Sequence, residues 1–219
     1  MKPKHKAYGF YEAYIKRILD CILATLMLII LSPLLLGIAI IIRIKLGKPI
    51  LFIQNRPGKN ERIFKLYKFR SMSNTKDSNG HLLPDKDRLT KFGKRLRSSS
   101  LDELPELINV IKGDMAIIGP RPLAVQYLPY YTEEEQQRHD VRPGLSGLAQ
   151  VNGRNALQWE ERFKYDVEYV NKITFLGDLN IIFKTIGKVI KKENIEAHGE
   201  GILIDFDIYR KNKELGDFK

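Results

Sequence analysis

The longest apolar segment of the chain lies close to its N-terminus. Residues 21–42 carry no charged side chain, and a run of about 22 mostly apolar residues is long enough for a membrane helix. Ser32-Pro33 lies in the middle of this run. Because proline removes a backbone donor and clashes with the preceding turn, the sequence predicts a kink or break there.

Two membrane arrangements are open for this segment: a straight single-pass anchor, and a re-entrant hairpin that enters and leaves by the same face. Each arm around Pro33 holds about eleven residues, or about 16 Å of helix, which is short of an apolar core of about 30 Å. Positive residues prefer the cytoplasmic side, so basic flanks at both ends favour re-entry. These flanking residues are Lys2, Lys4, Lys6, Lys16 and Arg17 before the segment, and Arg43, Lys45 and Lys48 after it.

The remainder of the chain combines short apolar runs, turn residues and helical patterns. The predicted elements are strands at 50–54, 63–69 and 115–119, helices at 88–97 and from Ser98-Ser99-Ser100 to a Gly113 C-cap, and a capping box at Thr132-Glu133-Glu134-Glu135. They predict an α/β chain of the α+β kind, in which a mostly helical, small cytosolic domain carries a short β-hairpin or sheet.

Near the C-terminus, one helical face is apolar and its neighbours are basic. The apolar face comprises Leu179, Ile182, Phe183, Ile186, Val189 and Ile190, and Lys184, Lys188, Lys191 and Lys192 lie off it. This pattern is typical of a helix lying on an anionic membrane surface. A helix packed on the core with a solvated lysine face gives the same pattern, so both interpretations are open.

Composition points to an anionic partner. The 219 residues carry a formal net charge of +11, which suits nucleic acid, an acidic membrane or phosphorylated substrates. Nucleic acid is the least favoured, because the basic residues are spread along the chain with no recognisable binding module. The single cysteine, Cys21, excludes an internal disulfide.

Asp102 and Glu103 are the candidate catalytic residues. Ser100 and Glu103 have capping-box spacing, so Glu103 can be read as a helix cap. The functional interpretation rests on the surroundings: a helix start favours bound phosphate, and basic side chains beside carboxylates suit phosphoryl transfer. The basic residues are Lys91, Lys94, Arg95, Arg97 and Arg121. Adjacent carboxylates also suit Mg²⁺, and together these features predict a membrane-bound, phosphate-handling protein.

An ordered series of motifs carries a resemblance to a known family. The motifs are Lys16-Arg17 with Asp20, Ser32-Pro33, Gln54-Asn55-Arg56-Pro57-Gly58, Phe64-Lys65-Leu66-Tyr67-Lys68-Phe69-Arg70-Ser71-Met72, Leu101-Asp102-Glu103-Leu104-Pro105, Asn109-Val110-Ile111-Lys112-Gly113-Asp114-Met115, Gly119-Pro120-Arg121-Pro122, Arg142-Pro143-Gly144-Leu145-Ser146-Gly147 and Gln150-Val151-Asn152-Gly153-Arg154-Asn155. From about residue 16 to 192 the chain resembles the bacterial sugar transferases, specifically the small monotopic phosphoglycosyl transferases.

The resemblance implies a membrane location and a reaction. It implies a re-entrant helix broken at Ser32-Pro33, with the soluble domain on the cytoplasmic face of the bacterial inner membrane. It also implies that Asp102 attacks the β-phosphate of a UDP-sugar and releases UMP, and that polyprenyl phosphate then takes the sugar phosphate from the carboxylate. Mg²⁺ would be held by Asp102 and Glu103, and Glu103 would assist with metal or proton handling.

The same resemblance suggests binding residues and partners. Arg121 is the first candidate for the diphosphate or uridine, followed by Arg154 and Arg142. Lys68 and Arg97 are candidates for acceptor or lipid phosphate. The expected partners are the UDP-sugar, polyprenyl phosphate, anionic lipids and downstream glycosyl transferases.

The chain divides into a basic segment and membrane helix at 1–48, a catalytic domain with interfacial helices at 49–193, and a tail at 194–219 that is expected to be disordered or to pair with a partner. Two rival functions are a glycosyl transferase that releases UDP and a non-catalytic membrane scaffold. No residue of the sequence identifies the sugar.

Overall fold

The computed structural model describes residues 5–153, 157–191 and 204–214. Its helices are α1 (Lys16–Lys45), α2 (Asp85–Arg88), α3 (Lys91–Ser98), α4 (Glu106–Lys112), α5 (Leu148–Asn152), α6 (Trp159–Asn171), α7 (Phe175–Lys191) and α8 (Phe206–Glu214). The strands are β1 (Leu51–Pro57), β2 (Ile63–Phe69), β3 (Ala116–Ile118) and β4 (Gly144–Ser146). A π-helical turn at Tyr11–Ile15 precedes α1, and 3₁₀ turns cover Lys59–Glu61, Leu101–Glu103, Val125–Tyr130 and Glu135–His139. The predicted α+β class, mostly helical with little sheet, is confirmed.

The first sheet is the antiparallel hairpin of β1 and β2, in which Leu51 pairs with Phe69 and Pro57 pairs with Ile63. The predicted bounds of β2 are confirmed. The strand predicted at 50–54 is too short, because the chain turns only at 58–62, where Asn60 takes a left-handed conformation. Lys68 is the second-last residue of β2, and its side chain lies beside the carboxylates described below.

The path from α3 to α4 differs from the prediction. α3 ends at Ser98, and Ser100 adopts a left-handed φ of 56° without a side-chain capping bond. α4 begins only after Pro105. The prediction of one helix from Ser98-Ser99-Ser100 to Gly113 is therefore wrong, because the left-handed residue reverses the chain and proline favours a helix start rather than an interior.

Two other local predictions are confirmed. Gly113 ends α4 with a φ of 91°, and its N–H donates to the carbonyl of Asn109 at 3.1 Å. The capping box at Thr132 is reciprocal: the Thr132 N–H donates to Glu135 Oε2 at 2.8 Å, and the Glu135 N–H donates to Thr132 Oγ1 at 3.3 Å. Each motif depends on residues within one turn of chain, which is why the sequence reveals it.

Asn109 fixes α4 against the hairpin. Its side chain is fully buried; Nδ2 donates to the Lys65 carbonyl at 2.7 Å and Oδ1 accepts from the Tyr67 N–H at 3.1 Å. Because this one amide satisfies two backbone groups along the same edge of β2, the register between α4 and β2 is set. This contact places Lys68 next to the residues that open α4.

The central core lies between α4, the parallel β3–β4 pair, α6 and α7. Its buried residues are Ala24, Leu66, Leu107, Val110, Met115, Ile117, Ile118, Val141, Val151, Tyr169, Val170, Ile173 and Ile181. β3 and β4 pair through Ala116 with Gly144 and Ile118 with Ser146. The strand predicted at 115–119 is confirmed over its three central residues, and the core supports the turn that carries Arg121.

α1 is long and apolar enough to cross a membrane, within a helical stretch from Tyr11 to Lys45. Near its start, Arg17 donates to the carbonyls of Val110 and Ile111 at the end of α4. Near its end, Ile38 and Ile42 are buried with Phe69 and Leu96. Both ends of α1 therefore pack against the folded part of the chain that follows it.

The middle of α1 projects apolar side chains outward. Ile29, Ile30 and Leu36 are 64%, 73% and 63% exposed. The helix continues through Pro33, so the helical backbone is not broken there. The predicted kink at Pro33 stays a prediction. The Ser32 hydroxyl donates to the Ile29 carbonyl at 2.8 Å, which satisfies a carbonyl in the turn that proline disturbs.

α7 divides its apolar residues between two environments. Ile181 is buried and Ile182 packs against the core, whereas Leu176, Phe183 and Ile186 are exposed. The core-packed interpretation therefore holds for Ile181 and Ile182, whereas contact of the exposed face with a membrane stays a prediction. The side chains of Ile190, Lys191 and Lys192 lie outside the described residues.

Part of the C-terminal tail is folded. Phe206, the first residue of α8, is fully buried in an aromatic cluster with Tyr127, Tyr131, Trp159 and Phe163. The expectation of a disordered tail at 194–219 therefore does not hold for residues 204–214. Sequence patterns missed this docking because a nine-residue helix with one buried aromatic carries little periodic signal.

Candidate functional site

Glu103 is the centre of an ion-pair network rather than a helix cap. Its Oε1 accepts from Lys68 Nζ at 2.7 Å and from Arg121 Nη2 at 2.7 Å. Lys68 Nζ also lies 3.1 Å from Glu106 Oε1. The capping-box interpretation of Ser100 and Glu103 is wrong, and the structure instead brings β2, the Pro-Arg-Pro turn and the start of α4 together.

Asp102 is a buried carboxyl beside this network. Only 8% of the residue is exposed, and burial raises the pKa of its carboxyl to about 6, with the charge of Glu103 acting in the same direction and Lys68, Arg97 and Arg121 opposing it. The group is mostly ionised at pH 7 although water solvates it poorly. A desolvated carboxylate surrounded by cations has the properties of a nucleophile for phosphate esters.

Glu103 behaves differently from its neighbour. Burial alone would raise its pKa, but Arg121 and Lys68 outweigh burial and hold the pKa well below its usual range. The negative charge of Glu103 in turn raises the pKa of Arg121. Glu103 is therefore a permanent anion that orients two cations, and it is poorly suited to exchange protons near neutral pH.

Glu106 is a site residue that the sequence did not single out. It is 3% exposed, and burial raises its pKa to about 7 against the opposing charge of Lys68. A carboxylate three residues after Glu103 can share its face, since neighbours on a helix are three and four apart. The spacing of three residues from Glu103 was the signal in the sequence that could have identified Glu106. Without the structure, Glu106 resembles any acidic residue in the first turn of a helix.

The cationic candidates do not all act on Asp102. Lys68, Arg97 and Arg121 all act on its carboxyl, and Arg97 is held by its Nε, which donates to Ser71 Oγ at 2.9 Å. Arg142 instead donates to the Gly113 carbonyl at 2.8 Å, at the far end of α4. The structure does not bring Arg142 to the site, and Arg154 lies outside the described residues.

The carboxylates can contribute to a metal site only as a pair. Among the described residues, no group of three or more His, Cys, Asp or Glu side chains could hold a metal ion. Mg²⁺ accepts one or two carboxylates when waters and substrate phosphates complete its shell. Asp102 and the second oxygen of Glu103 fit this requirement.

The fold and the site define a small α+β protein with an apolar N-terminal helix and a cation-lined, buried carboxylate suited to phosphate groups. The sequence profile of the bacterial sugar transferases matches residues 11–192. The chain belongs to this family, as the motifs indicated.

Three relatives illustrate the match. The chain is 48% identical over 182 residues to the sugar transferase EpsL of Bacillus subtilis, covering 83% of this chain and 90% of EpsL. It is 40% identical to a UDP-N-acetylgalactosamine-undecaprenyl-phosphate N-acetylgalactosaminephosphotransferase of Aeromonas hydrophila, covering 81% of this chain and 44% of the relative. It is 39% identical to a UDP-glucose:undecaprenyl-phosphate glucose-1-phosphate transferase of Escherichia coli, covering 80% of this chain and 40% of the relative. The chain thus spans less than half the length of these last two relatives, whose names state a reaction.

Proposed function

We propose that the protein transfers a sugar 1-phosphate from a UDP-sugar to polyprenyl phosphate and releases UMP, with Asp102 as the nucleophile. The observation that carries this proposal is the position of Asp102, a buried carboxylate on which Lys68, Arg97 and Arg121 act. The names of the Aeromonas and Escherichia relatives, which specify UDP-sugar and undecaprenyl-phosphate reactions, support the substrate classes.

The first step forms a covalent intermediate. An oxygen of Asp102 attacks the β-phosphorus, the bond from that phosphorus to the bridging oxygen breaks, and UMP leaves with the electron pair. Lys68, Arg97 and Arg121 neutralise the charge that develops on the phosphoryl oxygens. Glu103 keeps Lys68 and Arg121 in place for this task.

The second step returns the carboxylate. A phosphate oxygen of the polyprenyl acceptor attacks the same phosphorus, the bond to Asp102 breaks, and a polyprenyl diphosphate sugar results. Neither step requires a net proton transfer, which agrees with a site whose nucleophile is already ionised. A Mg²⁺ ion held by Asp102 and Glu103 would supply further neutralisation of the diphosphate charge.

The membrane arrangement that we propose is re-entrant, with the domain on the cytoplasmic face. A straight helix of 30 residues is about 45 Å long, so a perpendicular span would place its ends on opposite sides of the bilayer. Both ends of α1 contact one domain, which supports entry and exit by the same face. The exposed Leu176, Phe183 and Ile186 of α7, together with its lysines, support contact with an anionic interface.

The product of the proposed reaction, a polyprenyl diphosphate sugar, would then serve downstream glycosyl transferases that extend a glycan.

The decisive experiment identifies the released nucleotide. Purified protein, Mg²⁺, polyprenyl phosphate and a panel of UDP-sugars should yield UMP with at least one donor; release of UDP would instead favour the rival glycosyl transferase. Asp102→Asn should lower the rate by at least about 10³-fold, whereas Asp87→Asn, in the exposed helix α2, is the matched control. An Asp102→Asn protein that retains activity in cells would support the scaffold.

Trapping the intermediate tests the nucleophile directly. Donor labelled in the sugar phosphate, added without acceptor, should leave label on the wild-type protein that hydroxylamine releases, as it does from acyl phosphates. Asp102→Asn should take up no label. Label retained by Asp102→Asn would assign the nucleophile to another residue.

A further inference from the structure

Beyond the three cations that act on Asp102, two more arginines lie near Arg121. Arg56 belongs to β1 and Arg162 to α6. β1 packs against the Val125–Tyr130 turn, and the Arg162 guanidinium lies 4.7 Å from the centre of the Trp159 ring, which in turn contacts Tyr127. The two arginines therefore flank the turn that follows Arg121.

We propose that Arg56, Arg121 and Arg162 form the binding site for the α-phosphate of the leaving nucleotide. This inference rests on the proposed function. It assigns Arg56 and Arg162 as further substrate-binding residues, for a nucleoside monophosphate and the corresponding part of the UDP-sugar.

Arg56 carries an unsatisfied group suited to an anion. Its Nη2 donates to Gln54 Oε1 at 2.7 Å, but its buried Nε has no hydrogen-bond partner. Buried donors in proteins are satisfied with few exceptions, and an unsatisfied donor commonly marks the place of a ligand or ion. Guanidinium groups bind phosphate oxygens through paired donors.

Arg56 and Arg162 also lie close enough to Arg121 to be repelled by its charge. Burial lowers the pKa of Arg56, and the nearby charge of Arg121 lowers it further. Burial likewise lowers the pKa of Arg162, to about 10, and Arg121 adds to this effect. Beneath them, Arg138 is already neutralised by Asp166 at 2.8 Å, and it donates to the Arg121 carbonyl at 2.7 Å. Glu106 opposes the effect of Arg121 on Arg56, and Asp166 opposes it on Arg162. A phosphate bound between these guanidinium groups would counter the same repulsion.

The position of Arg121 selects the α-phosphate over the β-phosphate. Arg121 reaches Glu103, beside Asp102, whereas Arg56 and Arg162 lie around the Val125–Tyr130 turn. The carboxylates lie on a turn that packs against β2 and α3. A diphosphate attacked by Asp102 at its β-phosphorus would extend past Arg121 with its α-phosphate and uridine toward Arg56 and Arg162.

Binding of UMP to the full chain, measured by calorimetry without turnover, tests the assignment. Arg56→Gln and Arg162→Gln should each weaken UMP binding by about tenfold or more, since each removes charge-assisted bonds to phosphate. Arg95→Gln changes an exposed arginine of α3 and should bind UMP as the wild type does. UMP affinity within twofold of wild type in both variants would overturn the inference.

Kinetic constants separate the two phosphate sources. The KM for UDP-sugar should rise in Arg56→Gln and Arg162→Gln while the KM for polyprenyl phosphate stays unchanged; the opposite result would assign the cluster to the acceptor and overturn the inference. Thermal unfolding of each variant checks its fold. A glutamine variant that does not fold is replaced by lysine at the same position, Arg56→Lys or Arg162→Lys, which keeps the charge but loses the paired donors. Wild-type affinity in Arg56→Lys would also count against the site. If the wild type releases UDP, the proposed function fails, and that result is independent of UMP binding.

Discussion

At the scale of single residues, three carboxylates within five positions have different electrostatic roles. Burial raises the pKa of Asp102 to about 6 and that of Glu106 to about 7, whereas Arg121 and Lys68 overcome burial at Glu103 and lower its pKa. The partners available to each carboxylate decide the difference. Asp102 is the carboxylate that we propose as the nucleophile, whereas Glu103 is paired with Lys68 and Arg121.

The pKa of Asp102 predicts the pH dependence of the reaction. The nucleophile must be ionised, so the rate should rise with pH through about 6 and fall on acidification. A bound cation favours the carboxylate and lowers its pKa. Raising the Mg²⁺ concentration should therefore move the acidic limb of the pH–rate profile to lower pH, and a limb that does not move would argue against Mg²⁺ at Asp102.

Glu106 predicts a pH dependence of stability. Its pKa is higher in the folded protein than in the unfolded chain, so the folded state binds more protons between about pH 4.5 and 7. Its contribution to the free energy of unfolding should fall as pH rises through this window. Glu106→Gln removes the titration, so the difference in melting temperature between variant and wild type should increase from pH 5 to pH 8. An unchanged difference would mean that Glu106 is ionised throughout.

At the scale of elements, the close approach of α3 to the end of the hairpin positions Arg97. A Cβ added to Gly93 would lie 1.8 Å from the Ser71 carbonyl oxygen, and Ser71 is also the residue that holds Arg97. Glycine at this position lets helix and strand backbones meet. The short α3 thereby delivers a cation to the carboxylate pair.

Gly93→Ala should therefore damage both stability and the site. Backbone must move to admit the methyl group, which costs about 1–3 kcal/mol or more, and Arg97 should shift from Asp102. We expect a lower melting temperature together with a reduced rate. Gly187→Ala in α7, where a Cβ meets nothing within 4 Å, is the matched control and should not lower either quantity.

At the scale of the whole molecule, one domain contacts α1 at both ends and leaves the apolar middle exposed. Arg17 caps the carbonyls that end α4, while Ile38 and Ile42 pack near β2 and α3. The exposed surface of α7 adds a second apolar region. These contacts link the apolar helix α1 to the same helices and strands that hold Asp102 and Glu103.

Cysteine labelling tests the re-entrant topology. In a Cys21→Ala background, Tyr8→Cys and Lys48→Cys flank the segment, and an impermeant reagent added outside intact cells should label neither. Permeabilised cells should label both, which confirms that the sites are reactive. Labelling of one site alone in intact cells would indicate a spanning helix.

The sequence by itself determined the features that depend on neighbours along the chain. The apolar run of α1, the bounds of β2, the Gly113 C-cap and the Thr132–Glu135 capping box each arise from residues within one element or turn. The family motifs likewise marked Asp102, Glu103 and Arg121 without any knowledge of their contacts.

Only the tertiary structure decided how these residues meet. Glu103 pairs with Lys68, 35 positions away, and with Arg121, 18 positions away, so local spacing indicated a cap where the fold forms an ion-pair network. The same long-range packing placed Arg142 at the far end of α4, brought Glu106 to Lys68, and buried Phe206 of the tail. Charge pairing and burial are set by which elements pack together, through contacts such as those of Asn109 with β2, and no periodicity along the chain records them.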